Sequence, residues 1–545
     1  MNYCMGIDVG TSGVKAVLYA EDGVLVASAS EGYAMYQPQN GWAEQNPEDW
    51  WEKTVLAIRR VLASSQVKPE EISGLGLTGQ MHGLVMLDQN CTVLRNAILW
   101  CDQRTAQECK TLTSLFGYAQ LIAVTANPAL TGFTASKILW VKKHEPELFS
   151  KCRHILLPKD YIRFCLTGDF ATDVSDASGM QLLDVKNRCW SVEMLDCLQL
   201  NPSMLARVYE SPQPTGTISK QAAQLTGLSE HTKVVAGAGD NAAAAVGTGV
   251  VCDKKAFTTI GTSGVVFAHT NTLHIDPNGR VHTFCCAVPG AWHVMGVTQA
   301  AGLSLKWLKE NVLCDLKALA QQKGTGVYQL MDHMALQSPI GANRLLFLPY
   351  LMGERTPHLD PDCRGVFFGL SAMHTRSDLI RAVMEGVACS LTDCLSVLQE
   401  MGIKPDSMAL CGGGANSPVW RQMLADLFYC RVNTMQANEG AAQGAAILAT
   451  VGSGLFKTVQ DACNVFVKEG EFFPPSLENA QQYSRVYAQY KALYPALRPL
   501  FKDLDKLSKP FFLKNKPFLK YTLLQHFFPK NRGAGLMPRA GLFVF

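Results

Sequence analysis

The chain has 545 residues, of which 48% are hydrophobic and 17% charged, and it carries a net charge of +3. It is too long for one hydrophobic core, too apolar to stay disordered and too near neutral to be built around nucleic acid or an anionic membrane. Its 18 cysteines are scattered, with no Cys-x-x-Cys pair, and no run of about 18 apolar residues appears, so a reduced, cytoplasmic chain without a membrane span or leader is expected.

In chain order, Met5–Val9 and Gly13–Ala20 read as strands of a meander completed by Val24–Ser30. Asn46 before Pro47 opens a helix, Asn as N-cap and Pro where no N–H is needed. Strands are predicted at Ile72–Thr78, Leu84–Leu87 and Val93–Leu99, then helices to about Phe164, then a strand from Val234 to Gly239. The second half repeats this grammar: a hairpin over 256–268, a strand at Leu345–Pro349, a helix from about Ser377 to Met401, and a strand Met408–Cys411 ending in Gly412-Gly413-Gly414. Ser417-Pro418 opens a further helix, and a small-residue helix follows at Gly440–Ala446. Strands followed by alternating helices and strands, twice over, predict an α/β protein of two domains with a cleft between them. The expected domains are 1–247 and 248–500. Residues 501–545, basic and rich in Phe, keep no period and are read as an accessory or disordered tail, with an anionic membrane surface or a partner as alternatives.

The peptide Gly-Thr-Ser-Gly-Val occurs twice, at Gly10–Val14 and Gly261–Val265, each between two apolar runs. Hairpin turns of this kind offer bare N–H groups and hydroxyls to phosphate, so Gly10, Thr11, Ser12 and Gly261, Thr262, Ser263 are candidate phosphate contacts, with Lys15 beside the first set. Asp8 stands where the second copy has Thr259. A carboxylate beside a phosphate is unfavourable without a cation between them, which makes Asp8 the candidate Mg2+ ligand. Asp240 ends a strand at the cleft and suits the base that an alcohol kinase needs; taken alone, it could equally be a loop cap. Gly412, Gly413, Gly414 and Asn416 could let adenosine approach the backbone. Met81 and His82 offer a packing surface and a hydrogen-bond donor to a polyol, and Trp100, with Asp102 and Arg104 near it, offers a flat face. A structural histidine and a core tryptophan are the plain alternatives.

Taken together these motifs resemble the FGGY carbohydrate kinases, within the actin/hexokinase/Hsp70 ATPase superfamily, over roughly residues 3–500. The resemblance rests on Asp8-x-Gly10-Thr11-Ser12-x-x-Lys15, Gly261–Gly264, Gly365–Leu370 with Asp378–Glu385, Gly412–Gly414 with Asn416, and Glu439–Ala446. It implies two ribonuclease-H-like (actin-like ATPase) domains closing on ATP and Mg2+. Gly79-Gln80-Met81-His82-Gly83, Leu157–Tyr161, Gly239–Ala243 and Pro349–His358 are similar to the branch acting on D-xylulose. That likeness implies phosphoryl transfer to O5, with Asp240 as base and Met81, His82, Asp240 and Asn241 around the sugar. Gluconate, L-ribulose or another polyol stays open as substrate, as does a homodimer; a non-metabolic actin-like ATPase is the reading from another class.

Overall fold

The computed structural model describes residues 1–436 and 439–507, with backbone alone for 505–507. Two seven-stranded mixed sheets organise it. The first runs in the order Pro214–Thr217, Lys233–Val235, Ile72–Gly79, Tyr3–Val9, Gly13–Ala20, Leu25–Gly32, with Ala238–Gly239 also paired to Ile72–Gly79. The second runs His282–Cys285, Trp292–Thr298, Gly264–Thr270, Lys255–Ile260, Ser407–Cys411, Arg431–Met435, Glu469–Phe473. In each, three successive antiparallel strands continue into two parallel ones. The repeated pentapeptide is therefore the visible trace of a duplicated sheet topology.

Local signals explain the elements. Asn46 accepts from the Glu48 amide to start the helix Pro47–Ser65, whose Trp50, Ile58 and Val61 are buried against the first sheet. Ser417 accepts from the Trp420 amide to start Pro418–Phe428. Thr375 and Asp378 form a capping box at the head of Arg376–Glu400, which packs on the second sheet.

Three expectations shift. The strand expected over Val234–Gly239 is two pieces, Lys233–Val235 and Ala238–Gly239, because Gly237 turns at φ +71°, where a Cβ would run into the Leu77 carbonyl. The strand expected at Val93–Leu99 shrinks to Ala97–Ile98: Val93 makes only an isolated bridge with Leu87, and the chain bends at Arg95. The last helix, Leu477–Leu507, runs through the break expected at 500, and Phe501 is buried with Tyr350 and Tyr490. Residues 508–545, the rest of the expected tail, lie outside the described residues. No helix among the described residues is long and apolar enough to cross a membrane.

The two halves interlock through small residues. The helix Ala441–Ser453 packs on both the first sheet and the helix Asp240–Gly247. A Cβ on Gly6 would run into the Ala442 carbonyl, and one on Gly444 into the Ala243 carbonyl. We expect Gly444→Ala to destabilise the fold by about 1–3 kcal/mol, because backbone overlap outweighs the roughly 1 kcal/mol of helix propensity that Ala adds. A denaturant midpoint at or above that of the wild type would show that these helices have room to part.

Candidate active site

The carboxyl ends of the strands Tyr3–Val9, Ile72–Gly79 and Ala238–Gly239 meet beside the first GTSG turn, where α/β sheets commonly bind ligands. This turn closes with the Gly10 amide donating to the Gly13 carbonyl at 3.1 Å. It is held from behind: Gln45 Nε2 donates to the Thr11 carbonyl (2.7 Å), and Gln45 Oε1 accepts from Gln80 Nε2 (2.9 Å) and the Trp50 indole (3.1 Å). The Trp100 indole, half exposed, donates to Thr11 Oγ1 at 3.0 Å. Ser12 is exposed, and Lys15 pairs with Glu439 from the second half of the chain.

Asp8, next to last in the first strand, has a buried Oδ1 with no hydrogen-bond partner among the described residues. Burial, and then the neighbouring charge of Asp240, push its carboxyl up to about 7. Asp240 opens the helix Asp240–Gly247, and burial raises it to about 6, against the Asn241 amide (2.7 Å) and side chain (2.9 Å), which both donate to its Oδ1. Two carboxylates within reach of each other, one oxygen unpaired, suit a divalent cation. Among the described residues no cluster of three or more His, Cys, Asp or Glu could hold a metal alone. Such a cation would therefore share Asp8 with ligand oxygens and water.

The segment that delivers Asp240 is clamped. Arg163 donates to the Ala236 carbonyl, and the Gly239 amide donates to Ser175 Oγ at 3.1 Å. Behind these lies a buried cluster in which Lys159 Nζ stands 2.6 Å from Asp160, 2.7 Å from Asp173 and 3.3 Å from Asp176. Met81 packs on Gly239, where a Cβ would meet its Sδ and Cε.

His82 lies against Phe133, with ring centroids 4.8 Å apart, and Nδ1 sits 2.8 Å from the Gly179 carbonyl. Burial and then the Lys137 charge hold it neutral, at about 3. A neutral ring bonded this way carries its proton on Nδ1, so Nε2 accepts. The donor expected of His82 is already used on Gly179. Asp102 and Arg104, expected beside Trp100 at a sugar, turn inward instead: Arg104 pairs with Asp102 (2.7 Å) and Glu44 (2.8 Å), and Asp102 accepts from the Ala43 amide.

The second turn borders a cavity of about 510 Å³ in the other half. Gly261, Thr262, Gly413, Gly414 and Asn416 all line it. Ser263 and Gly412 are not among its lining residues. Gly412 serves the backbone, at φ +81° against the Ile260 carbonyl. Sequence reasoning missed Lys306, Tyr328 and Asp332, which line the same cavity from the helices Gly302–Trp307 and Val327–Ala335. The apolar pattern marks those helices, but no motif marks the three side chains.

The profile described as "FGGY family of carbohydrate kinases, N-terminal domain" matches residues 3–247, and its C-terminal counterpart matches 256–453. The chain is 40% identical over 490 residues to the xylulose kinase of Bacillus subtilis (strain 168), covering 90% of this chain and 96% of that protein. A crystal structure of a xyloylose kinase from Brucella ovis superposes with a TM-score of 0.84 at 36% identity, over 92% of this chain and 100% of that one. A gluconate kinase from Lactobacillus acidophilus superposes at 0.86 with 27% identity, over 92% and 99%. With profile matches to both halves and a relative this similar over nine-tenths of its length, the chain belongs to the FGGY family of carbohydrate kinases.

Proposed function

We propose that the chain transfers the γ-phosphoryl group of ATP to O5 of D-xylulose. The observation that carries this reading is the pairing of Asp240 with Asp8 at the strand ends, next to Met81 and His82 and facing a phosphate-type turn. The xylulose kinases of similar sequence support the choice of sugar.

Asp240 accepts the O5 proton, the O5–P bond forms, and the bond from phosphorus to the β–γ bridging oxygen breaks, releasing ADP. With its carboxyl at about 6, Asp240 is largely ionised at neutral pH and still basic enough to take that proton. Met81 and Asn241 pack and orient the sugar, His82 accepts a hydroxyl through Nε2, and Trp100 flanks it. Gly10–Ser12 with Lys15, and Gly261–Ser263, hold phosphate oxygens. The cavity at Gly413, Gly414 and Asn416 takes the adenosine. Asp8 would hold Mg2+, which when bound neutralises phosphate charge. A cytoplasmic setting fits the 18 scattered cysteines, which form no Cys-x-x-Cys pair.

The test is ADP release from Mg-ATP with D-xylulose, L-ribulose, D-gluconate, glycerol or no sugar. Strong stimulation by D-xylulose alone is expected. Stimulation by another polyol alone would reassign the substrate. Turnover indifferent to every sugar would leave a non-metabolic ATPase.

A further inference from the structure

An arginine side chain carries five N–H donors and a permanent charge, and setting it in a partly closed site without an acceptor is costly. Arg355 is such a residue. It is partly buried, and among the described residues no acceptor bonds its guanidinium. Cations on the sugar side are engaged: Lys137 with the His82 and Gly132 carbonyls, Arg104 with Asp102 and Glu44, Lys159 with its three aspartates.

The loop bearing Arg355 is fixed on both sides. The Glu354 carboxylate accepts from Thr298 Oγ1 (2.6 Å), the Gln299 amide (2.9 Å), the Arg355 amide (2.8 Å) and Ser390 Oγ (3.2 Å), so its oxygens are taken by other donors. Thr356 is tied to the Val297 amide (3.0 Å) and the Arg280 carbonyl (2.8 Å). Arg355 therefore stands beside the ends of the strands His282–Cys285 and Trp292–Thr298.

The first of those strands carries His282 and Phe284, and the Phe284 ring lies 6.2 Å from His82 across the cleft. His282 Nδ1 is bonded to Asn127 Oδ1 at 2.8 Å, as His82 Nδ1 is to Gly179. Both imidazoles thus leave only an acceptor nitrogen free, and Asp240 is an acceptor too. A polyol has donors for these groups, but its oxygens also need a donor. Burial, and then the charge of Arg355 among others, keeps His282 neutral, so that charge reaches this pocket.

We infer that Arg355 is a sugar-binding residue, its guanidinium donating to the oxygens of the open-chain ketose at the end away from the phosphorylated hydroxyl. The inference rests on the cleft being a sugar-kinase site. It assigns Arg355 to ground-state binding and specificity, not to the phosphoryl group.

The experiment is steady-state kinetics of Arg355→Gln and Arg355→Lys with the sugar that best stimulates the wild type, alongside melting curves with and without that sugar. The expected result is a sugar KM raised about 10- to 100-fold in Arg355→Gln, less in Arg355→Lys, with the ATP KM unmoved and the sugar-induced rise in Tm lost. An unchanged sugar KM in both variants would overturn the inference. So would a fall in kcat with a raised ATP KM, which would move Arg355 to the phosphates. Wild-type turnover that no sugar stimulates would instead overturn the sugar-kinase reading itself, and this inference with it.

Discussion

Asp240→Asn should reduce sugar phosphorylation by about 10²–10⁴-fold, the usual contribution of a general base. The substitution is chosen to leave the geometry in place. Asn keeps an Oδ1 that can accept from the Asn241 amide and side chain, as Asp240 does now. Arg163 and Ser175 grip the preceding backbone and do not touch the carboxylate. Nucleotide titration should therefore give a wild-type Kd, because the cavity at Gly413 and Asn416 lies in the other half of the chain. Turnover within about fivefold of wild type would remove Asp240 from proton transfer.

The same residue sets a pH dependence. In the free enzyme Asp240 titrates at about 6 and Asp8 at about 7, each raised first by burial, and the pair titrates together. Both must be ionised to act as base and cation ligand. The kcat/KM for sugar should therefore fall as pH drops through that window, and the fall should sharpen where both carboxyls gain protons. A profile flat from pH 5 to 8 would show that neither group governs the reaction.

Much of this arrangement is legible in the sequence wherever one residue's chemistry suffices. The paired GTSG peptides mark two hairpins of the same topology, and Asn46 and Ser417 cap helices as their residue types predict. What escapes the sequence depends on partners far along the chain. The Gln45–Gln80 relay that holds the first turn joins residues 35 positions apart, each unremarkable alone. Asp102 and Arg104 suit a sugar by type, yet Glu44 and the Ala43 amide claim them for a buried ion pair. His82 reads as a donor by type, and only the Gly179 carbonyl reveals that it accepts. Arg355 lies inside a motif visible in the sequence, but its lack of an acceptor among the described residues emerges only once Glu354 is seen bonded to other donors.

Asp8→Asn should separate stability from activity. Burial and the charge of Asp240 raise the Asp8 carboxyl from its ordinary 3.8 to about 7. Between those values the folded state binds more protons than the unfolded one, so stability falls as pH rises, and the full penalty is present above about 7. Displacing a pKa tenfold in proton affinity costs about 1.36 kcal/mol, so a displacement of roughly a thousandfold sets a ceiling near 4 kcal/mol. Asn has the same shape without the charge, so the metal-free variant should melt higher than wild type at pH 8, by an amount worth about 1–4 kcal/mol. The gain should vanish near pH 4, where Asp8 is already protonated. Because the two carboxylates repel each other, the variant should also lower the apparent titration of Asp240. Sugar phosphorylation should nevertheless collapse, and raising Mg2+ should restore it only in part, since the carboxylate that would bind the cation is gone. A variant that melts below wild type at pH 8 would mean that Asp8 is satisfied in the free protein, and full rescue by Mg2+ would mean that another group holds the cation.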